Sequence, residues 1–411
     1  MLNYFILPLV LSLGGIFLLF KLRFFFIRHP VLTVKEMRRG LRSHESRRAL
    51  MLALAGTLGV GNIFGIAAGI MIGGAGVVFW VFVSSFFSMI LKYAETLLAF
   101  DMGRRGGMGE VVRRTVGGRA ALVYAGLTLA LALLMGGAMQ SAAFCDIAGL
   151  SLGIKSPFSG IILLLLVTPC LIYGADKAEK ITVIVIPMTT IIYISMCFCV
   201  IFLKIDRFYE VIGEMISSAF SLKGACLGIL PIALSEGFSR GILSNEAGIG
   251  SSATAHIRGS DSDPHRAGLF GILEVFFDTT LLCTLTGLAV LLSVEDISAY
   301  HSPMELVNAA FVGCLGELCG HILTLLILSF AYATVICWYL YGTVYRVGYF
   351  RRFPFAILFV ICLVFPFENR LLISLVDLVI FPMAIITLLA IIKGKERIFT
   401  LSRRSLYKSD S

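Results

Sequence analysis

Apolar runs of roughly 20 residues, each long enough to cross a bilayer as a helix, recur along nearly the whole chain with short polar stretches between them. They predict about eleven membrane spans. One leads at about 3–26, and ten core spans follow near 47–74, 76–100, 119–152, 157–175, 181–203, 208–243, 267–293, 320–345, 353–367 and 371–392. One run differs from the others. Residues 52–74 read LALAGTLGVGNIFGIAAGIMIGG, interrupted in the middle by the glycine-dense, polar patch Gly56-Thr57-Leu58-Gly59-Val60-Gly61-Asn62. Glycine lowers helix stability and lets the backbone leave helical geometry. Inside a bilayer, freed backbone groups are tolerated only where they are buried in protein or line a cavity. A broken span is therefore a candidate binding site for something small and polar.

The ten core spans divide near 204–207, five on each side. An odd number per half forces the halves into opposite orientation, an inverted repeat in which the first span of each half is expected to be the broken one. In the sixth core span, Lys223-Gly224-Ala225-Cys226-Leu227-Gly228 followed by Pro231 supplies a break signal at the corresponding place. The plainer reading of such glycines is close helix packing. The expected organisation is a leading helix and basic loop over 1–46, a first five-helix repeat over 47–204, a second over 205–392, and a basic tail over 393–411. The run Gly59-Val60-Gly61-Asn62-Ile63-Phe64-Gly65 looks like a dinucleotide fingerprint, but that motif needs a preceding strand and sits here in a membrane run.

Composition agrees with this picture. Of 411 residues, 58% are hydrophobic and only 14% charged, which leaves no sizeable soluble domain. The net charge of +9 matters through its distribution. Basic residues fill the first loop (Lys21 to Arg48), the loop after the second core span (Arg104 to Arg119), the stretch Arg346–Arg352 and the tail, while 294–319 carries Glu295, Asp296, Glu305 and Glu317 without Lys or Arg. One threading makes every basic loop cytoplasmic, with the N-terminus outside and the C-terminus inside. Charge split among membrane-flanking loops argues against nucleic acid. The first span lacks a small-residue cleavage site and does not read as a removed signal peptide. The ten cysteines form no CxxC or Cys/His cluster; Cys314 and Cys319 either meet on the outer side or stay free. None of the six histidines falls mid-span, whereas a membrane enzyme would cluster His, Asp or Glu there. No ATP-binding motif is present.

The stretch ALAGTLGVGNIFGIAAGIMIGGAGVVFW, continuing to LKYAETLLA, resembles the alanine or glycine:cation symporters. So does the run Arg240 to Ser251, RGILSNEAGIGS, close to that family's RGLFSNEAGLGS, with Ala255-His256 at the family's spacing. Further matches are Gln140-Ser141, Phe277-Asp278-Thr279 with Cys283-Thr284, and Phe330-Ala331-Tyr332-Ala333-Thr334 leading to Trp338-Tyr339-Leu340-Tyr341-Gly342. The likeness spans roughly 47–390. It implies an all-α leucine-transporter fold and uptake of a small neutral amino acid with sodium, sometimes with protons, and no cofactor beyond the coupling ion. The implied substrate site lies between the broken first and sixth core spans and the third and eighth. Gly59, Val60 and Gly61 would offer main-chain N–H groups to the carboxylate, Asn62 would brace the unwound strand or touch ligand, and Gln140 would reach the substrate. Gly224, Cys226 and Gly228 would face it, and Trp338 would wall the pocket or pack beside it. The cation would take the carbonyls of Ala55 and Leu58 and the hydroxyl of Thr334. The physics fits, since a half-helix end with free N–H groups attracts a carboxylate and unwound carbonyls suit a hard cation.

The chain departs from the family in places. Its sixth-span break has Cys226 where an aromatic is usual, and Ala333 removes one of two adjacent hydroxyls. Lys223 would face an outer vestibule, an acidic substrate group or a proton path. Glu236 and Arg240 are four apart and Lys92 and Glu95 three apart, so each pair can meet on one helix face. Asp146, Glu274, Asp278 and Asp377 read as anchors or proton carriers. Asn245 and Glu246 read as an inner gate at the cytoplasmic end of the sixth core span. Lys223, Glu236, Arg240, Asn245, Glu246 and Asp278 are thus the gate or coupling candidates. The competing readings are a proton-coupled or exchange transporter of the same fold, and an amino-acid-binding membrane sensor that does not transport.

Overall fold

The computed structural model describes residues 2–22, 24–103, 106–173, 175–221, 231–257, 263–344, 352–365 and 367–407. No strand occurs among them. The leading helix α1 (Leu2–Lys21) is followed by a short surface helix α2 (Pro30–Gly40), seated where the first cytoplasmic loop was expected. The broken span is the pair α3 (His44–Thr57) and α4 (Gly61–Gly73). Then come α5 (Gly76–Leu98), the short α6 (Gly107–Thr115) and the long rod α7 (Gly118–Leu152). After it lie α8 (Phe158–Tyr173) and α9 (Ala175–Leu203). The second half holds α10 (Phe208–Ala219), α11 (Ile232–Asn245), α12 (Pro264–Ser293), α13 (Pro303–Leu315), α14 (Glu317–Val344), α15 (Arg352–Val364), α16 (Asn369–Lys393) and α17 (Lys395–Tyr407).

Burial ranks the helices. In the most apolar window of the α3–α4 span 94% of residues are buried, against 39% for α16, so the broken span is central and α16 peripheral. The reason is compositional. Between Gly56 and Gly73 the span carries further glycines at 59, 61, 65 and 69, and small residues let neighbouring helices approach closely. Around the outside, Leu165, Ile184, Ile191, Phe202, Leu325 and Leu378 are exposed. An apolar exterior over a tightly packed interior is the arrangement a bilayer solvent requires.

Two regions differ from the expected layout. The acidic stretch 294–319, expected as an outer loop, contains α13, capped by the Ser302 hydroxyl accepting from the Glu305 N–H at 3.1 Å. Its Met304, Leu306, Val307, Ala310 and Phe311 are buried, with α13 packed against α4 and α14. The basic tail is also helical in α17, where Ser402 hydrogen-bonds Tyr93 of α5 at 2.6 Å and Arg397 pairs with Asp101. Thirteen-residue helices fall below the span length that a hydropathy reading looks for. Tertiary contact, not local periodicity, holds them.

The sixth core span, expected over 208–243 with a break inside it, is described as two helices. Helix α10 ends at Ala219, whose carbonyl accepts from the Trp80 indole N–H at 2.8 Å beside the start of α5. Helix α11 begins after Pro231, with Ala233 against Gly73 at the far end of α4, and runs back until the Leu243 carbonyl lies beside Gly61. Both α10 and the start of α11 therefore lie where α4 ends and α5 begins, and α11 reaches the first break only at its C-terminus. Lys223, Gly224, Cys226 and Gly228 lie outside the described residues.

Candidate functional site

The first break is short and neutral. Leu58 leaves helical geometry with φ −69° and ψ 68°, and α4 restarts at Gly61. The Gly59 N–H turns back to the Thr57 carbonyl at 2.7 Å, and the Asn62 N–H reaches the Gly59 carbonyl at 3.3 Å. The Val60 N–H is accepted by the Gln140 carboxamide Oε1 of α7 at 3.2 Å. Gln140 is positioned by a π-helical turn over Ala132–Ala138, where its Nε2 donates to the Met135 carbonyl at 3.0 Å. Such turns free a carbonyl from the helical ladder and recur at functional sites.

On the other side of this break the Thr334 hydroxyl of α14 donates to the Ala55 carbonyl at 3.3 Å. A Cβ at Gly59 would sit 2.5 Å from that hydroxyl oxygen, so glycine is required for the approach. Ala55 and Thr334, expected to share a cation, are thus adjacent, with Leu58 buried in the same turn. Trp338 is fully buried one turn further along α14, with Gly136 of the π turn against its Cβ and Tyr341 at 5.5 Å between ring centroids. Asn62 lies within the first turn of α4, and its Nδ2 donates to the Asp278 carboxylate of α12 at 2.5 Å.

The second break is where the sequence pattern suggested an inner gate. Asn245 and Glu246 are expected at the cytoplasmic end of the sixth core span. They terminate α11 at the level of the first break, because the Ser244 hydroxyl and Asn62 share the Asp278 carboxylate. Glu246 adopts φ 56°, Gly248 φ 82° and Gly250 φ 75°. The left-handed region is natural for glycine at a helix end and strained for glutamate. The Asn245 side chain accepts from the Ala247 N–H at 2.9 Å and donates to Thr279 at 3.0 Å, which fixes the turn. A four-residue helix, Ala253–His256, then resumes against α3 and α5. The legible signal was the repeated pattern Gly-x-Gly: Gly59-Val60-Gly61 in the first break, Gly248-Ile249-Gly250 in the second.

Ionisable side chains crowd this second break. Lys92 of α5 hydrogen-bonds Ser252 at 2.5 Å and pairs with Glu95 and Glu274, each at 3.4 Å. Glu95 also accepts from the Gly248 N–H at 3.0 Å, and His256 pairs with Glu274 at 2.7 Å. Glu246 accepts from the Ser251 hydroxyl. All are buried. His256, outside the spans, thus belongs to a buried charged cluster. Asp278 accepts from the neutral donors Asn62, Ser244 and Thr279.

The expected pair Glu236–Arg240 is formed within α11 at 3.1 Å, and Arg240 extends to Asp377 of α16 at 2.6 Å, with Ser239 on the other carboxylate oxygen at 2.8 Å. The sequence presents Asp377 as a single acid; its partner is 137 residues away, beyond any local spacing rule. Asp146 is likewise anchored, accepting from Asn369 at 2.8 Å.

Two helical breaks facing each other inside a bundle of apolar helices define a multi-pass membrane transporter of the leucine-transporter fold. The chain belongs to the sodium:alanine symporter family, which it matches over residues 1–404. It is 30% identical over 359 residues to the sodium/alanine symporter AgcS of Methanococcus maripaludis, a match covering 81% of this chain and 78% of that protein. It is 28% identical to the probable sodium/glutamine symporter GlnT of Bacillus subtilis, over 94% of this chain and 84% of that one. The crystal structure of MhsT in complex with L-phenylalanine shares the fold, with a TM-score of 0.56 over 85% of this chain and 79% of the other at 13% identity. The protein is an amino-acid:cation transporter and not an enzyme.

Proposed function

We propose that the protein imports a small neutral amino acid of the alanine or glycine class together with sodium, by alternating access, with the N-terminus outside and the C-terminus in the cytoplasm. The observation that carries this reading is the Val60 N–H held by the Gln140 carboxamide oxygen inside the first break. A substrate carboxylate oxygen is the natural replacement for that oxygen. It would sit at the N-terminal end of α4, where a partly buried anion gains up to about 2 kcal/mol from the helix dipole. Val60, Gly61, Asn62 and Gln140 are buried, which favours a substrate with little side chain.

Sodium is a hard cation and takes oxygen ligands. The Ala55 carbonyl and the Thr334 hydroxyl supply two within hydrogen-bond reach of each other, and Leu58 would add a carbonyl. Bound sodium would replace the Thr334–Ala55 hydrogen bond and so hold the unwound segment. The names of the relatives, one a sodium/alanine and one a probable sodium/glutamine symporter, support sodium and a neutral amino acid while differing in side chain. The two halves, divided near 204–207, would act as inverted five-helix repeats that rock about the breaks. The positive charge of the first loop, the α6 region and α17 supports the orientation.

Uptake by proteoliposomes tests this directly. Alanine or glycine is expected to accumulate under an inward sodium gradient and not under potassium. Equal uptake with and without the gradient would favour an exchanger, and binding without flux would favour a sensor.

A further inference from the structure

We propose that Glu246, at the second break, is a proton-binding site of the transporter. The argument starts from donors. A lysine ammonium has three N–H groups, and those of Lys92 face Ser252, Glu95 and Glu274. His256 is also taken by Glu274. Glu246 is left with the Ser251 hydroxyl on Oε2, while its Oε1 is buried without a hydrogen-bond partner among the described residues.

The described surroundings offer it no further base. Helix α5 presents Lys92 and Glu95, α12 presents Glu274 and Asp278, and the resumed helix presents His256. From α7 comes Tyr124, whose hydroxyl donates to the Ile249 carbonyl at 2.7 Å. From α1 comes Leu11, against Gly248, and from α6 Met108, against Gly250. The buried residues of α3 are Ser46, Ala49, Leu50 and Leu52 to Thr57, none of them ionisable, while Arg47 and Arg48 lie in its first turn. Four buried carboxyl groups, at positions 95, 246, 274 and 278, therefore face one lysine and one histidine. An uncompensated charge at this depth is costly. No three acidic, histidine or cysteine side chains converge as a metal ion requires among the described residues. A proton restores neutrality without that convergence.

Backbone geometry marks the same residue. Glu246 occupies a left-handed position that glycine would fill without strain, so the side chain is what the position retains. When the segment Asn245–Ser252 opens to water, an O–H bond forms on Glu246 with a proton drawn from that aqueous phase. When it opens to the other side, the bond breaks and the proton leaves as hydronium. No electrons are exchanged. Movement of the break, and hence coupling, rests on the transport reading above; proton binding itself does not.

The test reads protonation without substrate. Infrared difference spectra of the full-length protein in lipid are recorded between about pH 5 and about pH 9, the range around an ordinary histidine and beyond an ordinary carboxylate. A carboxylic-acid carbonyl band that titrates in this range is expected, lost in Glu246→Gln. Ser251→Ala keeps the carboxyl group and removes its hydroxyl partner, so it is expected to shift the band's frequency even if Glu246→Gln fails to fold. Absence of any titrating band in the wild type, or a band that Ser251→Ala leaves unmoved, overturns the proposal. A titrating band in a protein that neither binds nor moves a small neutral amino acid supports the proton site and sinks the functional reading instead.

Discussion

The two helix breaks lie side by side and are built from opposite materials. The first, Leu58–Val60, contains no ionisable side chain; it is held by backbone turns, the Gln140 carboxamide and the Thr334 hydroxyl. The second, Glu246–Ser252, is enclosed by Lys92, Glu95, Glu274 and His256. Both use Gly-x-Gly to leave the helix. A neutral break presents backbone dipoles, which suit a zwitterionic ligand and a hard cation. A charged break couples its geometry to ionisation, because each buried charge needs its partner in place. The difference separates a break held by neutral groups from one held by charges.

The largest expected effect attacks the charged side. Lys92→Met strands Glu95 and Glu274, and removing one member of a buried pair costs roughly 3–5 kcal/mol. Thermal unfolding in detergent should show a fall larger than for any substitution at the first break. An unchanged midpoint would mean that charge does not hold the second break.

Next comes the close approach at the neutral side. Gly59→Ala puts a methyl group 2.5 Å from the Thr334 hydroxyl oxygen, an overpacking worth about 1–3 kcal/mol. The variant should also lose sodium-induced stabilisation. Adding Thr334→Ala should restore stability but not the sodium response. If sodium still stabilises the double variant as it does the wild type, the Ala55–Thr334 pair is not the cation's site.

A smaller effect separates substrate from cation. Gln140→Leu removes the acceptor of the Val60 N–H, at about 1 kcal/mol of stability. It should weaken amino-acid binding in thermal-shift titrations while leaving the sodium response intact. Loss of both responses together would show that the two ligands share one site more closely than the geometry suggests.

The smallest effect is a solvent-side control. Glu110, on α6 beside the second break, bridges Arg113 and Arg114, and these hydrogen bonds lower its pKa from the usual 4.5 to about 2. A depressed carboxylate pKa stabilises the fold fully above the usual value and ceases to do so as pH falls through about 2. The cluster is exposed, and surface pairs contribute little. Unfolding curves of Glu110→Gln and wild type should therefore coincide at neutral pH and differ in no pH-dependent way above about 5. A clear difference would show that charge outside the break controls it too.

Much of the first break was legible because its cause is local. Glycines at 56, 59 and 61 interrupt an apolar run, and backbone chemistry alone predicts that the helix breaks there. The Lys92–Glu95 and Glu236–Arg240 pairs were legible for the same reason, being one helical turn apart. The break signal at Lys223 to Gly228 lies outside the described residues, between the end of α10 at Ala219 and the start of α11 at Ile232. The turn at Asn245 to Gly250 was not legible as a break, because its local signals are weaker. What ends α11 is the combination of Asn245 with Thr279 and of Ser244 and Asn62 with Asp278. These contacts join residues from three separate stretches of sequence. His256 entered the buried cluster for the same reason.

The sequence by itself determined that the protein crosses a membrane many times, that one central helix must break, and that the chain is a symporter-family transporter. Those properties stem from apolar run length, from glycine's backbone freedom and from a long motif. Only the tertiary structure decided that SNEAG is a second break facing the first, that Gln140 occupies the Val60 N–H, and that Arg240 reaches Asp377. The physical reason is shared: hydrophobicity and backbone propensity act along the chain, whereas pairing of buried polar groups is settled among residues that folding alone brings together.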